Sequence, residues 1–289
     1  MNSDRVNVAT AVAHASAPSA AAPAMPEAVK SPAPRRRVWP AFNWRGLLAI
    51  GLFFLAWQLA VTFKASGFHE IPGPITVVRT LFSDFLFTAS YWQSWLISFK
   101  RVLMGFLFAQ LLGVPLGLIL GSSRRFNRVV FPVFEMMRPI PPLAWVPLSI
   151  LFWPTNEASI IFITFIGAFF IITINVYDGV KSIKQEHLWL ANSLGASQLT
   201  TFRRIIIPAV IPSIAVGMTL GIAVTWNVVI AAEMIASDSG LGRLTWEGYV
   251  SSTPPVVFVG MISIGIAGAL STLLVDIIER RMMPWKRKR

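Results

Sequence analysis

The feature that most constrains this chain is a series of apolar stretches near 20 residues long. That is the length an α-helix needs to cross about 30 Å of hydrocarbon. The stretches run over 46–63, 102–121, 129–153, 158–177, 209–235 and 256–278. Lipid offers no partner to an unpaired backbone N–H or C=O, so each stretch is forced to be helical. The expectation is an all-α, polytopic membrane protein with about six transmembrane helices. Composition agrees, because only 13% of residues are charged against roughly 25% in soluble domains. Mean hydropathy is positive, at +0.64.

The net charge of +12 would suggest nucleic acid in a soluble protein. Here the basic residues sit beside the apolar stretches, where the positive-inside rule puts them. Arg35, Arg36, Arg37 and Arg45 precede the first stretch, and Arg124, Arg125 and Arg128 follow the second. Lys181, Lys184, Arg203 and Arg204 lie between the fourth and fifth; Arg280, Arg281, Lys286, Arg287, Lys288 and Arg289 close the chain. With six crossings all four sets fall on one side, which the rule makes cytoplasmic, together with both termini. Lys64, Arg79 and Arg243 fall outside. Lys100 and Arg101 are the awkward pair, near the outer end of the second helix, and a helix projecting beyond the bilayer would accommodate them.

Residues 1–38 are rich in Ala, Pro and Ser without periodicity and are expected to be a disordered cytoplasmic tail. A cleaved signal peptide is the rival reading. The stretch 46–63, however, is long enough to span and is followed by further membrane segments, which favours a retained first helix. The membrane domain then covers 39–289. In the outer linker 64–95, Ile71-Pro72-Gly73-Pro74 is a turn signal, and the amphipathic run 77–87 reads as a helix along the outer face.

The loop between the fourth and fifth stretches, about 178–208, is far longer than reconnection requires. Residues 185–194 carry a helical apolar stripe at Leu188, Leu190, Ala191 and Leu194, and Gly195 can end that helix. Ser197 can cap a second helix whose apolar face is Leu199, Phe202, Ile205 and Ile206, and Pro208 opens the next span. The product is a helix–Gly turn–helix whose short apolar face invites a partner groove.

Ionisable groups at membrane depth usually face a bundle interior or a water-filled cavity. Glu135 and Arg138 are three apart, so they share a helical face and can pair. They form either a structural ion pair or part of a pathway. Glu233, near the outer end of the fifth helix, reads as an interfacial carboxylate, a packing contact or a pathway group. The prolines of 139–147, Pro141 among them, must interrupt the hydrogen-bond ladder. Broken helices often mark binding sites in transporters, although a kink can simply pack. Trp226 and Asn227 add a polar step that faces either a path or a neighbouring helix. Gly113, Gly117 and Gly121 have the small-xxx-small spacing of close helix packing.

The loop also resembles the "EAA" loop of ABC importer permeases, of pattern E-A-A-x-x-x-G-x9-I-x-L-P. Nine residues separate Gly195 from Ile205, and Ile207-Pro208 fills the last pair. The start departs: Trp189 stands in place of Glu and Leu190 in place of the first Ala, and only Ala191 agrees. The run Arg138-Pro139-Ile140-Pro141-Pro142-Leu143-Ala144-Trp145-Val146-Pro147-Leu148 resembles the third-helix signature of the nitrate/sulfonate/taurine permeases. Ala231-Ala232-Glu233-Met234-Ile235 with Gly240-Leu241-Gly242 resembles their fifth-helix ending, and Ile71-Pro72-Gly73-Pro74 their periplasmic P-x-P turn.

This resemblance implies a type I ABC importer (MetI-like) permease fold in the bacterial inner membrane. It further implies a permease homodimer, two cytoplasmic ABC ATPase subunits and a periplasmic or lipid-anchored substrate-binding protein. The cargo would be a small anion such as an aliphatic sulfonate, taurine or nitrate. Residues Trp189, Leu190, Ala191, Leu194, Gly195, Ala196, Phe202, Ile205 and Pro208 would couple to the ATPase. Glu135, Arg138, Pro141, Trp226, Asn227 and Glu233 are the candidate path residues.

No phosphate loop G-x-x-x-x-G-K-[ST], no G-x-S-x-G elbow and no H-E-x-x-H occurs. The chain needs no cofactor of its own, and ATP would be bound by a partner. The chain has no Cys, and His is confined to positions 14, 69 and 187, so neither a thiolate nor a His metal site is expected. A secondary transporter not driven by ATP is the alternative, but it would show internal repeats and none is visible. A membrane enzyme would have only Glu135, Arg138 and Glu233 to work with. A scaffold would be indifferent to replacement of Gly195.

Overall fold

Helix is the only regular structure in the computed structural model, which describes residues 44–65, 67 and 70–283. The tail expected over 1–38 and the basic residues 286–289 lie outside the described residues. The chain separates into two units, Met1–Leu48 and Ala49–Arg289, and the packing below belongs to the second. In chain order the helices are α1 (Trp44–Thr62), α2 (Pro74–Thr80), α3 (Ala89–Ser122), α4 (Arg124–Met137), α5 (Val146–Phe152), α6 (Asn156–Lys181), α7 (Gln185–Ser193), α8 (Gln198–Thr201), α9 (Ile207–Ala236), α10 (Leu241–Val250) and α11 (Pro254–Met282).

Five helical segments are long and apolar enough to cross a membrane: Trp44–Thr62, Ala89–Ser122, Asn156–Lys181, Gln198–Ala236 and Pro254–Met282. The remaining apolar stretch, 129–153, is not one helix. It ends as α4 at Met137, passes through Pro139 and Pro141, makes a single 3₁₀ turn over Pro142–Trp145, and resumes as α5. Proline lacks an N–H and clashes with the carbonyl four residues back, so three prolines within four positions cannot be helix interior.

The direction of packing shows that this broken segment still traverses the bundle. In α3, Gly105 faces Thr164, Gly113 faces Ile172 and Thr173, Gly117 faces Thr173 and Val176, and Gly121 faces Val180. Numbers rise together, so α3 and α6 run parallel, and the chain between them has to return along the whole seam. By the same reading α6 and α9 are antiparallel, since Gly179 meets Ser213 while Gly167 meets Val228. The α9–α11 pair is antiparallel too, with Trp226 bonded to Ser271 and Thr219 to Glu279.

The seam rests on bare backbone. A Cβ on Gly117 would lie 2.6 Å from the Thr173 carbonyl oxygen and 2.7 Å from Val176 Cβ. A backbone oxygen cannot rotate aside as a side chain can. Gly117→Ala is therefore expected to lower stability by about 1–3 kcal/mol. Gly265→Ala on α11, where a Cβ meets nothing within 4 Å, should be near neutral. Thermal unfolding of the two variants in detergent checks this, and equal melting points would contradict the seam.

Helix α3 starts 13 residues before its apolar stretch, because Ala89 to Arg101 is helical but mixed in polarity. At 34 residues and 1.5 Å per residue it is about 51 Å long, so Lys100 and Arg101 stand within a helix longer than its apolar stretch. The run expected to be helical over 77–87 is helical as far as Phe85, as α2 continued by a wider turn over Leu81–Phe85. Val77 is buried there with Tyr91 and Val259. Helix α10 was not anticipated, since Arg243 and Glu247 interrupt its apolar pattern. It packs on α11, where Gly248 abuts Val256 and Val257.

The bundle thus has two distinct ends. One carries the loop 182–206, Arg124, Arg125, Arg128, Arg280 and Arg281. The other carries the start of α3, the start of α6, the end of α9, and α10.

Candidate functional site

At the loop end, α7 closes as the sequence pattern requires. Gly195 adopts φ +73°, its N–H donates to the Asn192 carbonyl (3.0 Å), and the Ala196 N–H donates to the Ala191 carbonyl (3.0 Å). These two bonds satisfy carbonyls that a helix end leaves free. Ser197 caps α8 by accepting from the Thr200 N–H at 3.2 Å. After α8 a wide turn over Phe202–Ile206, with the Ile207 N–H reaching back to the Phe202 carbonyl, leads into α9. Pro208 follows at the second position of α9, where a missing N–H matters least.

Of the loop's apolar residues, Ala191 is buried and Ala196, Phe202 and Ile205 are half-buried. Trp189, Leu190, Leu194 and Leu199 are 59–77% exposed. Large apolar side chains left exposed together in one loop are characteristic of an interaction surface. The flanking Lys181, Lys184, Arg203 and Arg204 locate this patch beyond the apolar spans.

At the opposite end a charged cluster is built around two side chains buried inside the protein. Arg101 on α3 is 2% exposed and Glu233 on α9 is 0% exposed. Arg101 Nη1 donates to Glu233 Oε1 at 2.9 Å and to the Ser239 carbonyl at 2.8 Å. Its Nε donates to Glu157 Oε2 at 3.1 Å, and its Nη2 pairs with the other oxygen of Glu157. Glu233 also accepts from Ser98 Oγ (2.7 Å) and the Gly242 N–H (2.9 Å), while Ser98 accepts from the Leu241 N–H (2.9 Å). The cluster joins α3, α6, α9 and α10. Gly240 completes it at φ +115°, where a Cβ would come within 2.5 Å of the Glu233 carboxylate. Every charge here has its partners, as burial of charge demands.

Between the ends, the Pro break opens a cavity of about 360 Å³ lined by Arg138, Ile140, Pro142, α6 residues from Ile166 to Ile174, and Val224. Glu135 and Arg138 pair at 3.1 Å, both side chains about 40% exposed. Pro141 is exposed beside them.

The candidate path residues therefore separate. Arg138 lines the cavity, Glu135 reaches it only through its pairing with Arg138, and Pro141 stands outside the lining. Trp226 is 5% exposed and donates to Ser271 Oγ at 2.9 Å, inside the α9–α11 contact. Its neighbour Asn227 is exposed on the other side of α9. Glu233 lies in the far charged cluster. Sequence reasoning missed Arg101 as its centre, together with Glu157 and Ser98. The one available signal was the Lys100-Arg101 pair at the edge of an apolar stretch, with no acid within a helical turn to explain it.

Residues 113–288 match the family described as binding-protein-dependent transport system inner membrane component. A Methanocaldococcus jannaschii protein described as an ABC transporter permease is 40% identical over 75% of this chain and 82% of its own length. The nitrate import permease NrtB of Leptolyngbya laminosa is 33% identical over 83% of this chain and 88% of its own length. Among solved structures, the inward-facing MetNI methionine ABC transporter matches with a TM-score of 0.55 and 18% identity, covering 72% of this chain and 97% of that one. At that identity the likeness establishes the fold.

Proposed function

This chain belongs to the family of binding-protein-dependent transport system inner membrane components, and on that premise we propose that it forms the translocation path of an ATP-driven importer for a small anion. The single observation that carries the coupling part is the exposed apolar patch of Trp189, Leu190, Leu194 and Leu199 around the left-handed Gly195. A separate ATPase subunit docks there, with Ala191, Ala196, Phe202, Ile205 and Pro208 shaping the joint. Two copies of the chain pair with two ATPases, and a substrate-binding protein delivers cargo at the far end. ATP closes the ATPase dimer and draws the two loops together, and the bundle alternates between outward and inward access. A ligand shifts states only through unequal contacts with them, and the docked loop is that contact.

The loop end is cytoplasmic in this reading, because Arg124, Arg125, Arg128, Lys181, Lys184, Arg203, Arg204, Arg280 and Arg281 all lie there. Both termini share that side, and the membrane is the bacterial inner membrane. The cargo is an aliphatic sulfonate, taurine or nitrate. The signatures at 138–148 and 231–242 support that class, as does the name of the nitrate-importing relative.

The test is reconstitution with an ABC ATPase and a substrate-binding protein from the same source. Uptake of taurine, an alkanesulfonate or nitrate into proteoliposomes is expected only when ATP and the binding protein are both present. Uptake driven by an ion gradient without ATP would overturn the assignment.

A further inference from the structure

We infer that Arg138 is an anion-binding residue, holding the oxyanion or sulfonate group of the cargo in the cavity at the Pro break. The inference rests on the permease reading above and names a contact within it. Its basis is a contrast between two arginines within the bundle. Arg101 spends all three nitrogen groups on protein acceptors and is sealed from solvent. Arg138 has a carboxylate neighbour, Glu135, but no hydrogen bond to any acceptor among the described residues. A guanidinium presents five donors in a fixed fork suited to planar, bidentate recognition of oxyanions.

Depth and surroundings agree. From Arg128, the last basic residue at the loop end, the chain climbs α4 by about 15 Å to Arg138, about half of a hydrocarbon layer about 30 Å thick. A charge at that depth normally faces a bundle interior or an aqueous cavity. The rest of the wall is apolar: Ile140, Pro142, Ile171, Ile174 and Val224 among others. Low-dielectric walls strengthen the field of a cation beside them, and Arg138 is the cation in this lining. Glu135, one helical turn back toward the loop end, holds the side chain in place through a single contact.

The chain has no cysteine, so Ile140→Cys introduces a lone thiol in the cavity wall. Bacterial membranes holding the full-length chain are treated with two thiosulfonate reagents, one ending in a sulfonate and the other in a trimethylammonium group. The ratio of the anionic to the cationic labelling rate is expected to fall about tenfold when Arg138→Gln is added, the size of one nearby charge at a partly exposed site. Glu135→Gln, which removes the opposing charge, should raise the ratio. A ratio indifferent to Arg138→Gln, or a thiol that neither reagent reaches, overturns the inference. Where the Arg138→Gln chain fails to accumulate, Glu135→Gln decides alone, and an unchanged or lowered ratio overturns it. Labelling needs no ATPase, so a failure of the importer reading would appear separately, as absent ATP-dependent uptake.

Discussion

Arg101→Ala is expected to destabilise the folded chain by about 3–5 kcal/mol, because it leaves Glu233 as an unpaired charge in a sealed interior. Folded proteins are stable by only about 5–15 kcal/mol, so most of the variant should fail to accumulate in membranes. The partners are expected to rank below it in a set order. Glu233→Gln keeps the shape and an acceptor for the Gly242 N–H, losing the charge-assisted bonds from Arg101 and Ser98, at about 1.5–3 kcal/mol. Glu157→Gln should cost at most about 1 kcal/mol, since that side chain is 54% exposed and water replaces much of what is lost. Thermal unfolding of detergent-purified chains measures the order. Arg101→Ala no worse than Glu157→Gln would mean that the cluster does not hold the four helices together.

Gly195→Asp should separate folding from transport. A Cβ at this position meets nothing within 4 Å, and Asp is among the few residues that visit the left-handed region. The strain is therefore about 1 kcal/mol, and membrane insertion and melting should be almost unchanged. Docking is another matter. The substitution places a carboxylate between Leu194 and Ala196, in the middle of the apolar patch proposed to be covered by the ATPase. An unpaired charge trapped in such a joint costs several kcal/mol, and each 1.4 kcal/mol is tenfold in affinity. ATP-dependent uptake is expected to fall about 100-fold or more, with loss of the co-purifying ATPase. Gly195→Ala carries the strain without the charge and should keep most of the uptake. Normal uptake by Gly195→Asp would place the docking surface elsewhere.

What could be read from the sequence was what depends on near neighbours. Span positions follow from stretch length, and the close of α7 follows from Gly195 and Ser197, whose bonding partners lie within five residues. The Glu135–Arg138 pair was visible because helical spacing alone brings the two together. The third apolar stretch could be recognised as broken, but not that its halves return along a parallel α3–α6 seam. The Arg101 cluster was out of reach for a plainer reason: its partners are 56 and 132 residues away, and no local pattern encodes such a pairing. Trp226 and Asn227 show the converse error. Adjacent residues on a helix point about 100° apart, so a shared polarity in sequence does not imply a shared surface.

The continuous run of α9 has a mechanical meaning. Thirty residues at 1.5 Å each make a rod of about 45 Å, with the wide turn at Phe202–Ile206 at its foot and the Glu233 knot near its head. Pivoting such a rod by about 10° at its foot swings its head by roughly 8 Å. The knot lashes that head to α3 and α6, so the swing cannot be taken up by one helix sliding past the others. In the proposed transport cycle, a push at the base would therefore reach the opposite rim as a larger sweep, with the wide turn as the fulcrum.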